Sequence, residues 1–185
     1  MMFERFTVRA RRVVVRAQEE SRQLRQLSVD VGHIGLAALT VSDGAGLDGD
    51  VVGRLREAMT MTLAGLAVDE TYTGHLRFTS ATKEVFERSL RLSLEARRNY
   101  ISSVDLLMSA LADPNINATV TASGIDYDSI HSTLVQSAMI PGDFVPGERQ
   151  GRAIVPPDQE QTIADLLQEV LKRLDTIIDR LGRDQ

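Results

Sequence analysis

Arg5-Phe6-Thr7-Val8-Arg9-Ala10-Arg11-Arg12-Val13-Val14-Val15-Arg16-Ala17 has a counterpart 72 residues downstream, Arg77-Phe78-Thr79-Ser80-Ala81-Thr82-Lys83-Glu84-Val85-Phe86-Glu87-Arg88-Ser89. The shift lays Arg5-Phe6-Thr7 on Arg77-Phe78-Thr79. It then pairs Ala10 with Thr82, Val13 with Val85, Val14 with Phe86, Ala17 with Ser89 and Ser21 with Ser93. These pairs step by three and four, the spacing of one buried helical face. Further on, Val29 meets Ile101, Leu36 meets Met108 and Leu39 meets Leu111. Register kept through a helix, a turn and a second helix marks an internal duplication, two all-helical halves of about seventy residues each.

Local signals divide the halves into elements. Thr7 and Thr79 each stand where a hydroxyl can accept from the orphan N–H groups of a first helical turn. The spacing predicts a first helix from roughly 8 to 26 and a second from roughly 31 to 41. Ser42-Asp43-Gly44-Ala45-Gly46 is turn material, and a further helix follows at about 50–66 before the polar connector Asp69 to His75. In the second half, Ser102 and Asp105 form a Ser-x-x-Asp capping box for a helix that ends before Asp113-Pro114. Ser123-Gly124 is another break, and Asp126 opens a helix to about 138. No segment alternates with period two, so no strands are expected.

A half of about seventy residues buries too little surface to be comfortable alone. The halves are therefore expected to pack as one pseudo-twofold domain over residues 1–140, repeat one at about 2–68 and repeat two at about 76–140, with a groove at the seam. Residues 141–159, with four Pro and three Gly and no apolar periodicity, are expected to be a linker. An amphipathic helix is expected over 160–182, where Ile163, Leu167, Val170, Leu174, Ile177 and Leu181 follow a four-three spacing. That seam suits either a coiled coil between copies, and so a homo-oligomer, or a helix folded back on its own domain.

Composition narrows the chemistry. With 21 Lys and Arg against 26 Asp and Glu the formal charge is −5, which disfavours general binding to a nucleic-acid backbone. The absence of Cys excludes disulfides, thiolate metal sites and a Cys nucleophile. No apolar run approaches the roughly 20 residues of a membrane span. The charged start Met1-Met2-Phe3-Glu4-Arg5 lacks the apolar stretch of a signal peptide, so a soluble, cytoplasmic protein is expected. The three His, at 33, 75 and 131, form no metal motif, and His33 at the head of a helix suits capping or packing. Neither a Gly-x-x-x-x-Gly-Lys-Ser/Thr loop nor a Gly-x-Ser-x-Gly elbow occurs in the 185 residues. No catalytic residue, metal or cofactor is expected. Arg9, Arg11, Arg12 and Arg16 on the first helix fit a solvated face or a docking surface for an acidic partner. Phe78, just before its Thr cap, fits a hydrophobic staple; a ring exposed there or at Phe3 would instead anchor a peptide.

The opening Met2-Phe3-Glu4-Arg5-Phe6-Thr7, continued by Arg9-Ala10-Arg11-Arg12-Val13-Val14-Val15 and Ala17-Gln18-Glu19-Glu20, closely resembles the start of the N-terminal domain of ClpC-type Clp unfoldases. Phe78-Thr79, Lys83, Val85, Ser89-Leu90 and Asn99-Tyr100-Ile101 continue the resemblance, which covers residues 2–140. It implies an all-α fold of two tandem four-helix repeats that serves as a non-catalytic receptor for adaptors and substrates, here as a free-standing copy without the ATPase ring. In the family the second helix of each repeat opens Gly-Thr-Glu-His, and its Glu contributes to a phosphoarginine pocket. Here the matching stretches are Asp30-Val31-Gly32-His33 and Ser102-Ser103-Val104-Asp105, so Gly32 and Val104 replace both carboxylates. Phosphoarginine recognition is expected to be weak or lost, because neither residue can accept from a guanidinium. The family surface that binds cyclic peptides maps onto Phe3, Arg11, Val14, Phe78, Lys83, Phe86 and Glu87. The resemblance thus implies a peptide- or adaptor-binding module that modulates Clp-dependent proteolysis, one form being a decoy for cyclic-peptide toxins. An assembly protein organised by the C-terminal helix is the other class.

Overall fold

Each half begins with the same cap. The Thr7 hydroxyl accepts from the Ala10 N–H at 3.1 Å and opens α1 (Val8–Gln23); the Thr79 hydroxyl accepts from the Thr82 N–H at 3.2 Å and opens α4 (Ser80–Glu95). The structure, a computed structural model, describes residues 5–68 and 76–139. The sequence-predicted linker, the tail helix and Phe3 lie outside the described residues.

In repeat one, α1 leads through β1 (Ser28–Val29) to α2 (Val31–Val41), a 3-10 turn (Asp43–Gly46) and α3 (Gly49–Leu63). In repeat two, β2 (Arg77–Phe78) leads to α4, then α5 (Ser103–Leu111), α6 (Pro114–Ala122) and α7 (Tyr127–Met139). The Ser102–Asp105 capping box forms as the sequence predicts. Asp113 caps α6 with Pro114 in its first turn, and the break falls at Gly124 with φ of 68°. The third helix of repeat two is matched in repeat one by a single 3-10 turn. Gly44 and Gly46 take φ of 74° and 80° there, a backbone that cannot continue into an α-helix.

Two expectations need correction. α1 ends at Gln23 and not near 26, because Arg25 turns left-handed at φ 54° and closes the helix. The Arg25 N–H donates to the Arg22 carbonyl and the Gln26 N–H to the Ser21 carbonyl, a Schellman closure without the customary glycine. Repeat two repeats it with Arg97 at φ 54°, Arg97 N–H to Leu94 and Arg98 N–H to Ser93. Strands, expected to be absent, occur as one two-residue parallel pair, Ser28 beside Arg77 and Val29 beside Phe78. Two residues are too few to show alternation.

That pair is one half of an exchange. The Thr79 N–H donates to the Val29 carbonyl at 3.1 Å, while the Thr7 N–H donates to the Ile101 carbonyl at 3.0 Å and Phe6 bridges Ile101. The segment entering each repeat thus pairs with the segment before the second helix of the other. The helices exchange likewise: α3 packs on α6, and α7 packs on the 3-10 turn. α2 and α5 meet at the centre, and every residue from Val31 to Leu39 and from Ser103 to Leu111 is buried. One apolar cluster runs through both repeats, including Ile34, Leu39, Leu55 and Met59 from the first and Leu106, Leu107, Leu111 and Ile116 from the second.

Candidate functional site

The exchange sets the start of α4 beside Val29 and the start of α1 beside Ile101, and three aromatic residues meet between the repeats. The Phe86 ring lies edge-on to Phe78 at 5.5 Å between centroids and edge-on to Phe6 at 6.3 Å. Edge-to-face contact sets the positive rim of one ring against the negative face of the next. Phe6, Phe78, Phe86 and Val14 are all buried, with Phe86 5% and Phe78 6% exposed. Val14 and Phe86 hold equivalent places in the two repeats, so a valine in one half matches the ring that fills the junction in the other. Phe6 was not singled out as a site residue in the sequence, although the 72-residue shift pairs it with Phe78.

Arg11, Lys83 and Glu87 are half-buried on the same two helices. Arg11 donates through Nε to the Phe6 carbonyl at 3.2 Å, bracing the turn that enters α1. Of the basic run on α1, Arg12 is exposed and Arg16 pairs with Glu20 at 3.1 Å. Burial holds the Glu20 carboxyl above its usual range, and the Arg16 partner opposes that rise. Of the seven sequence-predicted site residues, six are therefore described: Val14, Phe78 and Phe86 are buried, and Arg11, Lys83 and Glu87 are half-buried on α1 and α4.

The two positions that carry glutamate in the family's pocket are enclosed. A Cβ at Gly32 would lie 2.7 Å from Leu63 Cδ2 and 2.9 Å from Thr62 Oγ1, so the end of α3 occupies the space a longer side chain needs. Val104 is 7% exposed at the start of α5. One residue further along, His33 and Asp105 complete the capping boxes. The Asp30 N–H donates to His33 Nδ1 at 3.0 Å, and the Ser102 N–H donates to Asp105 Oδ2 at 2.8 Å. Asp105 also accepts two bonds from the Arg98 guanidinium, at 2.8 and 2.6 Å. His33 is fully buried, and that burial pushes its pKa down to about 4. Among the described residues no group of three or more His, Asp or Glu could hold a metal ion, and no helix is long and apolar enough to cross a membrane.

Known proteins share this architecture. The Clp repeat N-terminal domain matches residues 5–125. An ATP-dependent Clp protease ATP-binding subunit ClpA homolog from Cyanidium caldarium is 26% identical over 190 residues, covering 97% of this chain and 22% of that protein. The corresponding ClpA homolog from Porphyra purpurea is 31% identical over 146 residues, 73% of this chain and 17% of its own length. The chain thus spans about a fifth of the length of these curated relatives. Among solved structures, the N-terminal domain of the caseinolytic protease associated chaperone ClpD from Arabidopsis thaliana superposes with a TM-score of 0.58 at 22% identity. That superposition covers 75% of this chain and 97% of the domain. The Hsp104 N-terminal domain from Candida albicans gives 0.61 at 16% identity, over 72% and 91%. With its repeated caps, its exchanged segments and a match through both halves, the chain belongs to the Clp repeat N-terminal domain family.

Proposed function

We propose that this protein is a peptide- or adaptor-binding module that acts on Clp-dependent proteolysis by holding its ligands, with no turnover of its own. The observation that carries this is the junction of α1 and α4, where an apolar ring cluster is flanked by the half-buried Arg11, Lys83 and Glu87. The rings are buried, so the surface open to a peptide is the half-buried Arg11, Lys83 and Glu87 above an apolar floor, which suits an amphipathic peptide. Peptides directed at a full-length unfoldase would be captured by the same surface, which makes the protein a decoy for cyclic-peptide toxins. Phosphoarginine recognition is weak in this reading. Leu63 and Thr62 crowd Gly32, and Val104 offers no carboxylate to a guanidinium.

Calorimetry with a cyclic peptide that binds Clp N-terminal domains tests the proposal. The full chain should bind, and Glu87→Lys, at a half-buried surface position, should weaken binding about tenfold. Its thermal midpoint should hardly move, since surface changes away from special features stay near zero in stability. Absence of heat with the parent protein under conditions where a family domain binds would remove the decoy role.

A further inference from the structure

At the C-terminal end of α1 the chain leaves the helix and lies against the segment that follows α3. The Gln26 side chain donates to the Leu63 carbonyl at 2.8 Å, the Leu27 N–H donates to the Ala67 carbonyl at 3.4 Å, and Gln26 and Val68 form an antiparallel bridge. These two joined segments carry three large apolar side chains in water: Leu24 at 47%, Leu27 at 37% and Val68 at 58% exposure. Arg22 and Arg25 stand beside them in sequence.

The duplication supplies a control for that patch. Ala96 and Asn99 occupy in repeat two the places of Leu24 and Leu27, and the Schellman closure around Arg97 forms with the same hydrogen bonds. The fold therefore does not require leucine at either place.

The chain itself holds a segment of matching chemistry. Residues 160–182 carry the apolar seam Ile163, Leu167, Val170, Leu174, Ile177 and Leu181, and residues 158–185 hold seven acidic side chains against four basic ones. Such a seam needs an apolar surface to cover it. α7 delivers the chain to repeat one: the Ser137 hydroxyl, in its last turn, donates to the Ala45 carbonyl at 2.5 Å in the 3-10 turn. About twenty residues separate α7 from the seam, and a coil of that length spans about 25 Å. A tethered partner within such a reach acts at an effective concentration in the millimolar range. We propose that the acidic tail helix, residues 160–182, docks on the Leu24, Leu27 and Val68 face of its own chain. Leu27 stands two residues before Val29, the strand partner of Phe78, so this face borders the aromatic junction. Tail docking needs no ligand there, and the inference does not rest on the ligand-binding role.

The absence of cysteine makes the test direct. Spin labels on Arg22→Cys and Thr176→Cys of the full chain should give one short, narrow distance, unchanged when labelled protein is diluted into an excess of unlabelled protein, with a monomer in sedimentation. Leu27→Glu combined with Val68→Glu should abolish the short distance while the helical circular dichroism stays intact. Leu174→Glu, placed in the tail and leaving the domain untouched, should abolish it as well. A broad distance distribution in the parent, a short distance lost on dilution because seams pair between copies, or one that survives Leu174→Glu would each overturn the proposal.

Discussion

Arg98 and Asp105 in repeat two occupy the places of Gln26 and His33 in repeat one, and the two pairs fasten the same backbone by different means. In repeat two the guanidinium meets both carboxylate oxygens, and the carboxylate also takes the Ser102 N–H and hydroxyl at 2.8 Å each. Arg98 also lies over the Tyr100 ring at 5.4 Å, so both ends of the ion pair are engaged. In repeat one the Gln26 amide turns away to the Leu63 carbonyl, and His33 caps Asp30 alone. Gln26 Oε1 and His33 Nε2 are buried without a hydrogen-bond partner among the described residues. An unsatisfied buried polar atom costs about 1–3 kcal/mol. The caps, the left-handed arginines and the exchanged strands are common to both repeats, so the difference between them lies in polar cement and not in topology. Repeat one should therefore be the half that opens first in native-state hydrogen exchange, beginning at the start of α2.

Substitutions at matched places break the comparison open, the largest effect first. Phe86→Ala removes the ring that both Phe78 and Phe6 touch and should cost about 3–5 kcal/mol in urea unfolding. Its mate Val14→Ala loses only two buried methyl groups, about 0.8 kcal/mol each. Equal losses at the two places would show that the junction is not centred on Phe86. Asp105→Ala leaves Arg98 without its partner and Ser102 without its capping carboxylate, a cost of about 3–5 kcal/mol. His33→Gln at the mate position should cost less at pH 7, since no ion pair is broken there.

The histidine also sets a pH dependence of its own. Its folded pKa, near 4, lies below the value of about 6.5 for an unfolded chain. Above pH 6.5 both states hold a neutral ring and His33 has no effect on the balance. As the pH falls from about 6.5 to about 4 the unfolded chain takes up the proton and the folded one resists, so up to about 3 kcal/mol of stability is lost. The difference between parent and His33→Gln, followed by denaturant midpoints across that interval, isolates this contribution from the carboxylates. A parallel fall in both proteins would show that His33 does not carry it. The smallest effect comes from the left-handed helix ends. Arg25→Gly and Arg97→Gly should each raise stability by about 1 kcal/mol, because glycine adopts φ near 54° without the penalty an L side chain meets.

How far each of these features could be read in the sequence depends on how local its cause is. The threonine caps and the Ser102–Asp105 box were legible because cap and partner lie within three residues, whereas Asp113-Pro114 was read only as the end of one helix although it also opens α6. The Schellman ends were not, since arginine at a left-handed position gives no signal that glycine would have given. The site was legible only in part. Phe78 was singled out by its place before the Thr cap, and Phe86 and Val14 through resemblance, while periodicity alone marked Val14 and Phe86 as core, where their burial places them. Phe6 escaped notice because its meeting with Phe86 crosses from one repeat to the other.

The 72-residue echo determined the duplication, the helical class and most element boundaries, because helices are fixed by spacings of three and four and by caps close at hand. Tertiary structure alone decided that each entering segment pairs with the opposite repeat, that Leu63 fills the space beside Gly32, and that three aromatic rings meet at one junction. Apart from Phe78 and Phe86, eight positions apart, those outcomes join residues 31 to 95 positions apart, and no local spacing encodes a contact that forms only when two halves close on each other.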